Sequence, residues 1–167
     1  PKKPYRIKLG SGHGLLGMPS SKHWVLLANY ADKSLLRNLT ALDLGNRIGM
    51  AWNPRSRMVE VTLNGQYRGI YQLAEQIRVD ADRIDIVEMD QADVSLPEVS
   101  GGYVLEIDSR RDCAGNVQFD TAGGTPFCID SPADDEIVAL QYAWIRDYVQ
   151  QLEDALLSPG FTDPATG

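Results

Sequence analysis

The sequence has few of the residues that build metal centres, and it has no long apolar run. It contains 2 cysteines and 2 histidines among 167 residues, and its longest unbroken apolar stretch is residues 24–28. A membrane-spanning helix needs about 20 apolar residues, so we expect no membrane span. A formal net charge of −7 argues against a broad nucleic-acid-binding surface, which requires clustered Lys and Arg. No nucleic-acid partner is therefore expected.

Charge is unevenly distributed along the chain. Acidic residues are concentrated in residues 80–98, where Arg83 is the only basic residue. The N-terminal segment is basic instead, with Lys2, Lys3, Arg6 and Lys8. Because anions are drawn to positive potential, we expect an anionic ligand at the N-terminal strand rather than in the middle of the chain.

Alternating and apolar segments predict a mostly antiparallel sheet. Residues 5–9 alternate between apolar and polar, and residues 24–28 are typical of a more buried strand. Asn64-Gly65 lies between two further strand-like segments and predicts a β-hairpin, because both residues tolerate the positive φ angles of a tight turn. Further short strands are expected at residues 103–107, 117–119 and 126–129.

Two segments have the apolar spacing of an amphipathic helix. The first follows Asp32, which we expect to cap the helix N-terminus. It should end near Gly49, since helices often stop at a glycine. The second spans residues 133–157 and opens with acidic residues, which are favourable at a helix N-terminus.

These elements together predict an α+β fold, with a mostly antiparallel twisted sheet and two principal helices. Residues 1–160 are expected to form the folded domain, and residues 161–167 a linker or tail. The hairpin at residues 58–73 and the first helix should form the core, since the apolar face of the helix must be buried. That face contains Leu35, Leu39 and Leu42.

Patterns that often mark cofactor sites are weak in this chain. Residues 12–17 match GxGxxG, but a strand follows them, whereas a dinucleotide site needs a helix N-terminus there. His13 and His23 have no third ligand nearby, so we expect no zinc site. Neither a GxSxG motif nor another Ser- or Cys-centred nucleophile signature occurs.

Cys113 and Cys128 flank a predicted hairpin and have two interpretations. In an oxidising compartment they could form a disulfide, and closing a loop of that size would stabilise the fold by roughly 3 kcal/mol. In the cytosol they would be two reduced thiols. The residues alone leave both interpretations open.

Several segments occur in a characteristic order along the chain. They are YRIK at residues 5–8, WVLLANYADKSLLRN at 24–38, LNGQYRGIYQLAE at 63–75 and GGYVLEID at 101–108. In these segments the chain strongly resembles the CotH kinase family, the spore-coat protein H-like proteins. The resemblance covers most of residues 1–108 and is less distinctive in the later helix.

This resemblance implies an atypical protein kinase, here its N-terminal lobe and connecting helix, that uses ATP with Mg²⁺ or Mn²⁺ to phosphorylate protein hydroxyls. Phosphoryl transfer needs a cation on the phosphates, metal-binding carboxylates and an aligned acceptor. By resemblance, Lys8 is the candidate phosphate-contacting lysine. Asp32 and Arg37 would lie at and on the helix behind it, and Glu75 where the nucleotide base meets the strand.

Each of these four residues also has a purely structural interpretation. Lys8 could be a surface charge on an edge strand, and Asp32 a helix cap. Arg37 could form an ion pair on the helix surface, and Glu75 could be a solvated strand end.

One departure from the family bears on activity. The family's metal-binding and catalytic aspartates lie in a later helix containing Asn and Asp and in a Trp-Asp-x-Asp-like segment. Neither pattern occurs here, because Trp24, Trp52 and Trp144 are followed by Val, Asn and Ile. The resemblance therefore implies the N-terminal part of such a kinase, with part of the nucleotide site, no catalytic or metal-binding residue, and no activity alone.

The resemblance also implies partners and a location. A coat or surface protein is the expected substrate, ATP should not be held tightly, and the spore coat or cell surface is favoured over the cytoplasm. In that setting we expect a Cys113–Cys128 disulfide. The alternative function is a noncatalytic surface or coat assembly module, in which the same sheet presents a binding face.

Overall fold

The predicted strands and helices form two units, Pro1–Asp85 and the residues from Ile86 onward. A computed structural model describes residues 1–113 and 116–163. The predicted α+β fold is confirmed, with seven strands and two α-helices in the described part of the chain. The strands form two antiparallel sheets, however, one in each unit. Within the described ranges, neither helix combines the length and apolar character that a membrane crossing requires.

The first unit contains a four-stranded antiparallel sheet with strand order β1-β2-β4-β3. Its elements are β1 (Tyr5–His13), β2 (Ser21–Leu27), α1 (Arg37–Arg47), β3 (Ser56–Leu63) and β4 (Gln66–Glu75). The predicted hairpin joins β3 to β4, with Leu63 opposite Gln66. Asn64 and Gly65 have φ angles of 51° and 76°, as the turn requires.

The core of the first unit lies on one face of this sheet. Side chains alternate between the faces of a strand, so Trp24 and Leu26 of β2 share a face with Tyr71 and Leu73 of β4. All four are buried, and Leu26 lies directly opposite Leu73. This core also contains Met18 and Ala28.

Helix α1 begins later than predicted, at Arg37, and Asp32 is not its N-cap residue. Residues 32–35 form a turn, in which the Leu35 amide donates to the Asp32 carbonyl at 3.1 Å and Leu35 has a φ of 61°. A helix cannot include that conformation, so the chain becomes helical only after the turn. The predicted stop is confirmed, because Gly49 follows α1 with a φ of 80°.

The prediction that α1 completes the core is wrong. Leu35, Leu39 and Leu42 are only half-buried and do not belong to the core cluster. The core cluster is flanked instead by partly buried side chains of β1 and β3, which lie on the same face of the sheet. These flanking residues include Tyr5, Ile7, Leu9, Val59 and Val61.

The second unit contains a three-stranded antiparallel sheet with strand order β5-β7-β6. Its elements are a short 3₁₀ helix (Glu98–Ser100), β5 (Val104–Ile107), β6 (Gln118–Asp120), β7 (Pro126–Ser131) and α2 (Ala139–Leu157). The core is formed by Phe119 and Ile129 of the sheet and by Ile145 and Val149 of the helix. Those two helix residues are one turn apart, so they lie on one face of α2.

Helix α2 begins at Ala139 rather than at residue 133. The residues before it form a turn in which the Ile137 amide donates to the Ala133 carbonyl at 2.9 Å. The buried Gln141 side chain then accepts a hydrogen bond from the Val138 amide at 3.1 Å and fixes the first turn of the helix. Of the predicted tail, residues 164–167 lie outside the described residues.

Candidate functional site

Lys8 lies on the face of the first sheet opposite the apolar core. It pairs across the strands with His23 of β2, while its neighbour Ile7 pairs with the core residue Trp24. Directly opposite residues in an antiparallel pair have Cβ atoms about 5 Å apart, so Lys8 and His23 are adjacent. The Lys8 side chain is exposed and forms no salt bridge or hydrogen bond with any residue that the structure describes. Its ammonium group is available to a ligand.

His23 is surrounded mainly by cations. Burial lowers its pKa below the usual value, and the positive charges of Arg78, Lys8 and Lys22 lower it further, while Asp80 opposes them. Arg78 and Asp80 come from the segment that follows β4. We call Lys8, His23 and Arg78 the basic cluster.

Asp32 holds the loop between β2 and α1. One carboxylate oxygen accepts from the Ser34 hydroxyl at 2.6 Å and the Ser34 amide at 3.0 Å, and the other from the Arg37 amide at 2.9 Å. The bond from the Ser34 hydroxyl, followed by that from the Arg37 amide, lowers the pKa of Asp32 below its usual value. The Arg37 side chain is exposed and lies 3.8 Å from the carboxylate.

Asp32 and Arg37 line a surface groove of about 400 Å³. Asn29 and Asn38 line it as well, and Asn38 Nδ2 donates to Asn29 Oδ1 at 2.8 Å. Asn29 in turn donates to the buried Gln72 side chain at 3.0 Å. This hydrogen bond connects the groove to strand β4. Sequence reasoning missed this amide chain, although both asparagines lie in the WVLLANYADKSLLRN segment.

Glu75, the last residue of β4, is buried rather than solvated, with 1% of its surface exposed. It forms a salt bridge with Arg83, whose exposed fraction is 2%. Arg55 binds the same carboxylate through its backbone amide at 2.8 Å and its guanidinium at 3.0 Å. The Arg83 guanidinium also lies over the Trp24 ring, 5.3 Å from the ring centroid. The carboxylate of Glu75 is therefore occupied by protein groups.

Two nitrogens of Arg83, Nε and Nη2, have no hydrogen-bond partner among the described residues. The Arg83 side chain is itself fully buried, so this guanidinium is held away from solvent. The sequence contained one indication that Arg83 pairs with a carboxylate, because it is the only basic residue within residues 80–98.

The structure separates the four residues that the resemblance selects. Lys8 lies beside the start of β2, whereas Asp32 and Arg37 lie beyond its end. Glu75 pairs with Trp24, so its side chain lies on the core face and not on the face of Lys8. Asp32 and Arg37 share the groove; Lys8 and Glu75 do not contribute to its lining.

In the second unit, Cys113 and Cys128 are joined by a disulfide, with Cα atoms 5.7 Å apart. Their sulfurs and the Asp108 carboxylate form the one group of three close metal-binding side chains found in the described residues. Disulfide sulfurs are not thiolates, and Mg²⁺ and Mn²⁺ prefer oxygen ligands. This group does not fit the metal of a kinase.

Comparisons with known proteins add one result. A sequence model described as CotH kinase protein matches residues 1–163, nearly the whole chain. No curated protein and no solved structure gives a significant match.

Proposed function

The chain belongs to the CotH kinase protein family, and from this premise we propose that it binds ATP through Lys8. It would contribute part of the nucleotide site of a kinase that phosphorylates protein hydroxyls. Family membership by itself suggests a kinase-like or coat-related protein. ATP binding and the identity of the acceptor are the parts that we add.

The observation that carries this proposal is the free ammonium group of Lys8 beside other cations. The Lys8 side chain has no protein partner in the described part of the chain, His23 is its cross-strand neighbour, and the charge of Arg78 also acts on His23. Phosphoryl-transfer proteins place such a cation on the nucleotide phosphates to neutralise their charge. The residues around Lys8 therefore fit a triphosphate.

The candidate carboxylates Asp32 and Glu75 fit the divalent metal less well than Lys8 fits the triphosphate. Both oxygens of Asp32 already accept hydrogen bonds from Ser34 and Arg37, and Glu75 is occupied by Arg55 and Arg83. Mg²⁺ requires carboxylate oxygens that are free to coordinate it. We therefore assign ATP to Lys8 and assign no metal-binding role to Asp32 or Glu75.

The protein partner and location that we propose also rest on the family. The acceptor would be a coat or surface protein, and the chain would act at the spore coat or cell surface. The Cys113–Cys128 disulfide supports this location, because structural disulfides persist mainly in oxidising compartments.

Calorimetric titration with ATP tests the proposal. Lys8→Ala should weaken ATP binding by about tenfold to a hundredfold, since hydrogen bonds to charged groups contribute about 1.5–3 kcal/mol. Lys33→Ala is the matched control, because Lys33 is exposed and lies beyond the other end of β2. No ATP binding, or equal losses in the two variants, would contradict the proposal.

An assembly role is the second candidate, and an exposed apolar ridge on α2 favours it. The members of the ridge follow a four-residue spacing, so their side chains lie one after another along the helix surface. Apolar surface of this kind often marks a contact with another protein. The exposed members are Leu140, Tyr148, Leu152 and Leu156. If the chain fails to bind ATP, this role becomes the better explanation of the fold.

A further inference from the structure

The basic cluster is unusual because the positive charges that act on His23 outnumber the negative ones. Lys8 and His23 are a direct cross-strand pair, and Arg6 lies two residues before Lys8 and so on the same face. The other charged groups near His23 are Lys22 on β2, and Arg78 and Asp80 after β4. One acidic group thus acts against three basic ones on a half-buried imidazole.

The donors of this cluster are also largely unused. The imidazole of His23 makes no hydrogen bond to any residue that the structure describes. Arg78 makes a single long contact through Nε, at 3.5 Å to the Val79 carbonyl. A guanidinium with free Nη groups can bind two oxygens of one phosphate, which an ammonium cannot do with the same geometry.

We propose that His23 and Arg78 bind the same polyphosphate as Lys8, and that protonation of His23 strengthens this binding. The inference rests on the proposed function for its ligand, ATP, but it assigns two further residues and a pH dependence to the site. Arg78 supplies a paired contact to one phosphate. Neutral His23 contributes little, and the imidazolium adds a positive charge and a donor.

The direction of the pH effect follows from linkage. In the free protein burial, together with the nearby positive charges, opposes protonation of His23. A bound polyphosphate reverses the local potential, so the pKa of His23 is higher in the complex than in the free protein. Between these two pKa values, binding takes up a proton, and the affinity rises as the pH falls.

Inorganic tripolyphosphate and ATP are the probes, and the ring protons of His23 are followed by NMR between about pH 5 and pH 8, the range around the usual histidine pKa. His23→Gln identifies the His23 signals among those of two histidines. Saturating tripolyphosphate should raise the pH midpoint of His23. An unchanged midpoint would overturn the inference.

Affinities measured at the two ends of that pH range give a second readout. The acid-induced gain in tripolyphosphate affinity should be about tenfold larger for the native chain than for His23→Gln, in line with one charge-assisted hydrogen bond. Protonation of the ligand itself affects both proteins equally, so it cancels in this comparison. Equal gains in the two proteins would count against a role for His23.

Arg78→Ala should weaken tripolyphosphate binding at least tenfold, whereas Arg68→Ala, at an exposed position on the β3–β4 hairpin, should not. The two ligands separate this inference from the proposed function. If tripolyphosphate shifts His23 but ATP does not bind, the anion site stands and the proposed function fails. If ATP binds through Lys8 while His23 and Arg78 have no effect, the proposed function stands and the inference fails.

Discussion

At the residue scale, burial decides what a charged side chain does. Glu75 and Lys8 were both selected as nucleotide-binding candidates, but Glu75 is buried with Arg55 and Arg83, whereas Lys8 is exposed and free of protein partners in the described chain. A buried ion pair is costly to break, because removal of one partner leaves the other charged and desolvated. Glu75 therefore has a structural role that the resemblance alone does not reveal.

We expect Glu75→Gln to lower the free energy of unfolding by about 3–5 kcal/mol, because it leaves Arg83 buried without its carboxylate. The matched control is Asp43→Asn, which breaks the exposed Arg47–Asp43 pair on α1. An exposed pair contributes about 0–1 kcal/mol. Urea unfolding measures both changes, and a small loss for Glu75→Gln would show that the buried cluster does not stabilise the fold.

Asp32 binds the N-terminus of α1 without being its N-cap residue. It was predicted as a helix cap, and it does bind the first amide of α1, that of Arg37. It does so from five residues upstream, because a turn closed on its own carbonyl intervenes. The chemistry of a carboxylate near a helix N-terminus is predictable, but the path of the connecting turn is not.

At the scale of elements, apolar spacing identified both helices but did not establish how deeply each one is buried. Helix α2 places Ile145 and Val149 in the core of its unit, whereas the leucines of α1 stay half-buried. Periodicity shows that a helix has an apolar side. Which side chains fill the sheet face depends on the other strands and loops that reach it.

This difference predicts unequal costs for two leucine truncations in the first unit. Leu73→Ala removes a buried core side chain and should cost about 2–5 kcal/mol. Leu39→Ala, at a half-buried position on α1, should cost about 1 kcal/mol. Urea unfolding midpoints compare the two variants directly. A larger loss of stability in Leu39→Ala would show that α1 does contribute to the core.

At the scale of the whole molecule, the chain has the ordered segments of its family, but the aspartate patterns that the resemblance implies for catalysis do not occur in its sequence. The segments that carry the resemblance map onto β1, β2, α1 and the β3–β4 hairpin, and onto β5 in the second unit. Phosphoryl transfer needs metal-binding carboxylates as well as a phosphate-binding cation. Binding without turnover is the behaviour that this combination predicts.

Residues 1–167 should therefore transfer no radiolabelled phosphate from ATP to themselves and release none, with either Mg²⁺ or Mn²⁺. The comparison is with a buffer blank and with Lys8→Ala. Transfer above the blank that disappears in Lys8→Ala would mean that other carboxylates of this chain support catalysis. The prediction that the chain binds ATP without turnover would then be wrong.

The sequence alone determined the features that depend on short-range physics. Asn64 and Gly65 specified the hairpin because their backbones accept positive φ angles, and the spacing of apolar residues marked the strands and helices. The ordered motifs indicated the family, which the match over residues 1–163 establishes.

Only the tertiary structure decided which distant residues are neighbours. Strand register placed His23 beside Lys8, and the path of the segment after β4 brought Arg83 to Glu75 and the charge of Arg78 within electrostatic reach of His23. These contacts join residues that the local pattern does not connect, since a shift of one residue in register would move each side chain to the other face of the sheet. The strand register and the path of the segment after β4 are set by how the whole unit buries its apolar surface. The basic cluster and the buried ion pairs therefore form only in the folded chain.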